Sequence, residues 1–206
     1  MSQYFKIHPE NPQLRLIRKS VEIINNGGLL AYPTDSGYAL GCHLEDKKAL
    51  DRIRFIRKLD KHHNFTLICR DLSEISKYAR FDTPVFRILK ACTPGPYTFI
   101  LRATREVPRR LLHPKQKTVG IRIPDNKINQ AILDELREPL MTTTLIFPEE
   151  EYPCIDPENI LKRLQTQIEL IIDGGYCSRI PTSVIDLTDK KPKILRKGKG
   201  NIKSFL

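Results

Sequence analysis

The chain has 206 residues, 40% of them hydrophobic, and a mean hydropathy of −0.37; this suits one domain with a sizeable core and leaves no apolar run long enough to cross a bilayer. The opening MSQYFKIHPENPQ has no apolar secretory core, so a cytoplasmic location is expected, and five cysteines without a C-x-x-C pair argue against a disulfide framework or a zinc cluster. A net charge of +11 and a pI near 9.5 favour anionic partners, whether nucleotide phosphates or nucleic acid.

Helix and strand signals alternate along the chain. Asn11-Pro12 predicts a helix start, Leu14, Ile17, Val21 and Ile24 recur at helical spacing, and Gly27-Gly28 stops them. Leu29 to Tyr32 predicts a buried strand. Asp46 is placed to cap a second helix carrying Leu50, Ile53 and Ile56. Phe65 to Cys69 predicts another buried strand, Asp71-Leu72-Ser73 a short helix, and Thr83-Pro84 a helix with Val85, Ile88, Leu89 and Cys92 inward. Pro94 to Pro96 predicts a rigid turn feeding a strand from Tyr97 to Ala103. Further strands are expected at Val119 to Ile123, Leu140 to Phe147, Ile168 to Ile172, Val184 to Leu187 and Ile194 to Arg196. Helices are expected around Asn129 to Leu136 and from Asp156-Pro157 onward, after a Pro- and Glu-rich loop. With no repeat and no linker, the pattern is a single α/β domain.

The run LLAYPTDSGYALGC, residues 29 to 42, carries most of the functional information. An apolar strand ends at Pro33 and opens onto Thr34, Asp35, Ser36 and Gly37 before turning apolar again at Tyr38. Hydroxyls, a carboxylate and a glycine at a strand end are a common way to build a binding loop, and an ordinary turn has the same composition. Two basic clusters stand out. One is Lys190 to Leu206, with seven Lys or Arg and no acid; the other is Arg102, Arg105, Arg109, Arg110, Lys115 and Lys117. No RNP motif or zinc finger accompanies them, so they suit backbone contact rather than base readout. His62-His63 are adjacent in an expected loop with no third ligand at metal-site spacing, which suits a solvated loop.

Taken together, five motifs resemble the YrdC-like family, whose core members are threonylcarbamoyl-AMP synthases. Pro33-Thr34-Asp35-Ser36, Tyr38, Leu40 and Gly41 resemble its P-T-[DE]-T-x-Y-G-L-G, with Ser36 for the second Thr and Ala39 for a Gly. Pro94 to Thr98 resembles P-G-P-x-T, and Gly120 to Pro124 resembles G-x-R-x-P. Thr182 to Asp186 and Ile194 to Gly198 resemble the closing S-[ST]-V-[VI]-D and I-[LI]-R-x-G. The motifs span roughly residues 10 to 200, leaving 201 to 206 as a tail. The resemblance implies a twisted, mostly mixed sheet flanked by helices, with a concave basic face. It also implies synthesis of threonylcarbamoyl-AMP and pyrophosphate from ATP, L-threonine and bicarbonate with Mg²⁺, for tRNA modification. Carried over by position, Thr34, Ser36, Tyr38 and Arg122 would bind the threonine and carbamate end. Arg57, Thr98, Thr142, Thr144, Thr182, Ser183 and Arg196 would bind the nucleotide.

The departures matter as much. The family's K-x-R motif aligns with Arg57-Lys58-Leu59, so a cation becomes a leucine. Its S-T-S-A-N motif aligns with Thr142 to Ile146, which keeps hydroxyls but replaces the Asn by Ile146. A one-residue shift would bring Lys58 or Lys61 into the gap. This pattern, with the opening MSQYF, resembles the YciO branch. Three activities follow as expectations: a weakened synthase, a hydrolase of threonylcarbamoyl-AMP or a related acyl-adenylate, or a tRNA- or double-stranded-RNA-binding protein.

Overall fold

A computed structural model describes residues 1–60 and 63–205. Among these residues eleven strands form one mixed sheet. Its central strands are β2 (Leu30–Pro33), β3 (Tyr38–His43), β8 (Leu140–Thr144), β4 (Thr66–Ile68), β7 (Thr118–Arg122), β6 (Tyr97–Ala103) and β10 (Ser183–Asp186), side by side in that order. One edge is β9 (Leu170–Asp173) followed by β1 (Gln3–Lys6); the other is β11 (Lys193–Arg196), and the short β5 (Ala79–Arg80) pairs with β6.

Helix starts follow local chemistry. Asp46 caps α2 (Lys47–Arg57) by accepting from the Ala49 N–H at 2.9 Å, and Asp71 caps α3 (Leu72–Tyr78) through the Glu74 N–H at 2.8 Å. Asp82, Asn126 and Asp156 do the same for α4 (Thr83–Cys92), α5 (Lys127–Leu136) and α6 (Pro157–Leu164). The first helix departs from expectation. α1 (Leu14–Asn25) begins two residues later than Asn11 would cap it, after Gln13, which makes no side-chain cap, and Leu14 is 53% exposed. In α4 only Leu89 is fully buried, while Val85, Ile88 and Cys92 pack at the margin of the core.

Strand alternation sorts side chains to two faces. Phe99, Leu101, Val119, Ile121, Leu67, Met141 and Ile185 face one core shared with α2, α3, α4 and α6. Leu30, Tyr32, Leu170 and Ile172 face a second core beneath α1 and α5. Toward β6 and β10 the second face carries no helix at the positions of Thr66, Thr98, Ile100, Gly120 and Val184, which instead line a cavity. Uncovered sheet, rather than a gap between domains, is therefore what makes the site.

Strand β1 extends the sheet beyond the motif-based start at residue 10, pairing parallel to β9 in the register Gln3 with Leu170. At the other end Gly200 lies on the Tyr97 ring, and Phe205 meets the same ring edge-on, so residues 200 to 205 pack on the domain. No helix among the described residues is long and apolar enough to cross a membrane.

Candidate functional site

The cavity encloses about 280 Å³, near the lower end of the usual range for small-molecule sites. Its lining holds eight serine and threonine hydroxyls, from Thr34, Ser36, Thr66, Thr98, Thr142, Thr143, Thr144 and Thr182. Two arginines, Arg122 and Arg196, join them, and no carboxylate does among the described residues.

One wall is the turn after β2. The Thr34 N–H and hydroxyl both donate to the Gly37 carbonyl, at 3.1 and 2.6 Å, and the Ser36 N–H donates to Thr34 Oγ1 at 3.2 Å. Gly37 has φ +145°, and a Cβ there would sit 2.8 Å from Pro153 Cβ, so the turn requires glycine twice over. The turn aims Ser36 Oγ at Arg122, 3.3 Å from Nη2. That same Nη2 pairs with the Asp35 carboxylate, whose second oxygen accepts from the Asp125 N–H at 3.0 Å. Arg122 is only 5% exposed, and its Nε is buried without a partner among the described residues. A buried guanidinium with a spare donor costs free energy unless something accepts it.

The opposite wall joins three motifs. Thr98 and Thr182 share a hydroxyl hydrogen bond at 2.9 Å, and Arg196, at the exposed rim, donates to the Thr182 carbonyl and hydroxyl, each at 3.0 Å. Tyr32 donates to Thr142 Oγ1 at 2.8 Å, and Thr142 donates on to the Leu40 carbonyl at 3.0 Å. Tyr38 donates to the Gly175 carbonyl at 2.9 Å. Burial pushes the Tyr38 phenol well above the usual tyrosine range, so it stays protonated. Gly174 of the Asp-Gly-Gly turn fits closely, since a Cβ there would meet Ile128 Cδ1 at 2.7 Å and Pro33 Cγ at 2.8 Å.

Thr34, Ser36, Tyr38, Arg122, Thr98, Thr142, Thr144, Thr182 and Arg196 all line this cavity, although the motifs that contain them are far apart in sequence. Arg57 and Ser183 do not line it. Arg57 ends α2 and spends its Nε on the Thr144 carbonyl at 2.9 Å; burial lowers its guanidinium to about 10. Ser183 faces the core side of β10 and is fully buried; its hydroxyl accepts from the Gly198 N–H at 3.0 Å and donates to the Gly200 carbonyl at 2.7 Å. It ties down the C-terminal segment and does not line the cavity. Ser183→Ala is therefore expected to lower stability by about 1–3 kcal/mol, read as a fall in Tm, and to speed amide exchange at residues 198 to 200.

Leu59 packs against the core, Lys58 is exposed in a left-handed helix end at φ 49°, and neither lines the cavity; nor does Ile146. Lys61 and His62 lie outside the described residues. His63 overturns the expectation of a solvated loop. It is half-buried in the cavity wall, with Nε2 3.1 Å from Thr143 Oγ1. Asn64, Thr66 and Thr143 are further lining residues that the motifs did not single out. Alternation from Thr142 and from the strand after Phe65 was the available signal for Thr66. Much of the basic sequence lies elsewhere: Arg80, Arg105, Arg109 and Lys117 line a separate concavity of about 560 Å³ at the far end of β6. Among the described residues no group of three His, Cys, Asp or Glu side chains is placed to hold a metal ion.

The pattern of the family described as Telomere recombination, covering Sua5, YciO and YrdC, matches residues 22–198. The chain belongs to the Sua5/YciO/YrdC family. It is 57% identical to uncharacterized protein YciO of Escherichia coli K12, covering all of both chains, and 56% identical to an uncharacterized protein of Haemophilus influenzae, again covering both. The crystal structure of E. coli YciO superposes with a TM-score of 0.96 over the full length of both chains at 57% identity. P. abyssi Sua5 carrying the substitutions H234A and Y235A superposes with a TM-score of 0.88 at 25% identity over 96% of this chain and 60% of the Sua5 chain. P. abyssi Sua5 in complex with L-threonine has the same fold, with a TM-score of 0.87 at 24% identity over 96% of this chain and 58% of that one. In this chain the five motifs meet at one uncovered face of that shared mixed-sheet fold.

Proposed function

We propose that this Sua5/YciO/YrdC domain binds an acyl-adenylate of the threonylcarbamoyl-AMP kind and makes it slowly from ATP, L-threonine and bicarbonate. The observation that carries this reading is Arg122, buried beside Ser36 and, among the described residues, with its Nε unpartnered in a cavity of hydroxyls without a lining carboxylate. Such a wall accepts an anion with many acceptor oxygens, which describes a carbamate joined to a phosphate. The L-threonine complex of P. abyssi Sua5, which has this fold, supports threonine as the acyl part. Slowness is expected because the positions aligned with the family's phosphate-binding Arg and Asn carry Leu59 and Ile146, which supply no donor and do not line the cavity. Two missing charge-assisted contacts, at about 1.5–3 kcal/mol each, slow the step by roughly two to four powers of ten.

The residues present do not fit a resident Mg²⁺. Among the described residues no carboxylate lines the cavity, and Asp35 is engaged by Arg122 and Asp125. Mg²⁺ would arrive on the phosphates of ATP, as part of the substrate. Incubation with ATP, Mg²⁺, L-threonine and bicarbonate, followed by mass spectrometry, tests the reading. Threonylcarbamoyl-AMP is expected at a low rate. Failure of the protein to bind ATP, AMP or threonylcarbamoyl-AMP in calorimetry would sink it.

A second reading rests on the separate basic concavity. Arg80, Arg105, Arg109 and Lys117 crowd one cleft with, among the described residues, no acidic residue in its lining, which suits the phosphate backbone of tRNA or double-stranded RNA. The double substitution Arg105→Ala/Arg109→Ala is expected to weaken RNA binding and to reduce the slope of log K against log salt by roughly one to two. An unchanged slope would place the RNA elsewhere or nowhere.

A further inference from the structure

His63 has no part in the reading above, yet it lines the same cavity as Ser36 and Arg122. Thr143 holds its Nε2 at 3.1 Å, and Phe65 meets its ring edge-on with centroids 5.3 Å apart. Among the described residues, the other polar lining side chains are hydroxyls, Asn64, Tyr38, Arg122 and Arg196. Serine, threonine and asparagine do not take up a proton near neutrality, arginine is already protonated, and Tyr38 is held neutral by burial. His63 is therefore the one lining group, among the described residues, able to take a proton from a reacting water. Among the described residues the charged groups around it are Arg57 and Arg54 of α2 and Asp60 beyond it, and β8 presents the Thr143 hydroxyl. Burial, reinforced by Arg57, moves the imidazole below its usual range, which leaves it unprotonated at neutral pH.

We propose that His63 makes this cavity a hydrolytic site for acyl-adenylates. This rests on the reading of the cavity as an acyl-adenylate site and adds a direction to it. A water oxygen bonds to the acyl carbonyl carbon while the bond from that carbon to the bridging phosphate oxygen breaks. The electron pair leaves on AMP. His63 takes the water proton and returns it to solvent. With threonylcarbamoyl-AMP the products are AMP and the carbamate of threonine, and no further reactant is needed.

The test supplies synthetic threonylcarbamoyl-AMP to the whole protein and follows AMP release. Hydrolysis is expected to exceed the buffer control and to fall about 100-fold or more in His63→Gln, within the range a positioned base contributes. The low-pH limb of the rate profile is expected to vanish in that variant, and added imidazole is expected to restore part of the rate in His63→Ala. A merely structural histidine would show neither effect. Wild-type decay equal to buffer, with AMP binding intact in calorimetry, overturns the hydrolytic role and leaves the binding reading standing. Absence of AMP and adenylate binding overturns both. A His63→Gln rate equal to wild type, or ¹⁸O from labelled water appearing in AMP, overturns the assigned step.

Discussion

Arg122→Ala is expected to abolish measurable binding of AMP and threonylcarbamoyl-AMP, with a loss of 100-fold or more. Two effects combine. The substitution removes a guanidinium that reaches Ser36 and keeps a spare Nε donor in the buried wall. It also strands the Asp35 carboxylate, which is nearly as buried as Arg122. Breaking one member of a buried pair costs about 3–5 kcal/mol, so the single variant will also be less stable. The double variant Arg122→Ala/Asp35→Ala separates the two. With both charges gone, much of the lost stability is expected to return, while binding stays lost. Thermal unfolding and calorimetry on the same samples check this. Recovery of binding in the double variant would mean that Arg122 serves only to neutralise Asp35.

The second large effect runs the other way. Leu59→Arg combined with Ile146→Asn is expected to raise threonylcarbamoyl-AMP synthesis by roughly two powers of ten, provided each new group recovers part of a charge-assisted phosphate contact. Both positions are half-buried and lie near the lining segments, Leu59 just past α2 and Ile146 just past β8. The cost falls on Leu59, whose packing against the core is given up, so a modest drop in Tm accompanies the gain. Pyrophosphate release measured beside Tm decides the matter. A stable double variant no faster than wild type would show that position 57 or the backbone, not the two missing donors, limits synthesis.

Much of this molecule was legible because its signals are local. Each of the five side-chain helix caps sits within three residues of the N–H it satisfies. The turn at Thr34 to Gly37 closes on itself in the same way. The failures are of longer range. Strand β1 has no apolar alternation to announce it, and its partner β9 comes near the other end of the chain. His63 does lie in a loop; what the sequence hid is its burial, because nothing nearby in sequence reveals that β8 brings Thr143 beside it. The case of Ser183 differs, since the information was present. Ile185 belongs to the core, and Ser183, two residues before it, must share that face, whereas Thr182 and Val184 turn to the cavity. The motif gave the residue type, and only strand parity gave its direction. Arg57 was placed with the ligand by its alignment with the family's K-x-R motif, but its Nε already serves the Thr144 carbonyl.

The division of β4, β6, β7 and β10 into a greasy face and a hydroxyl face has an evolutionary consequence. Leu67, Phe99, Ile121 and Ile185 belong to the core, and Thr66, Thr98, Gly120 and Val184, their immediate neighbours in sequence, line the cavity. Ligand preference is thus free to drift by exchanges at every second position, while the scaffold feels little of it. A domain built this way diversifies its repertoire without first renegotiating its own folding.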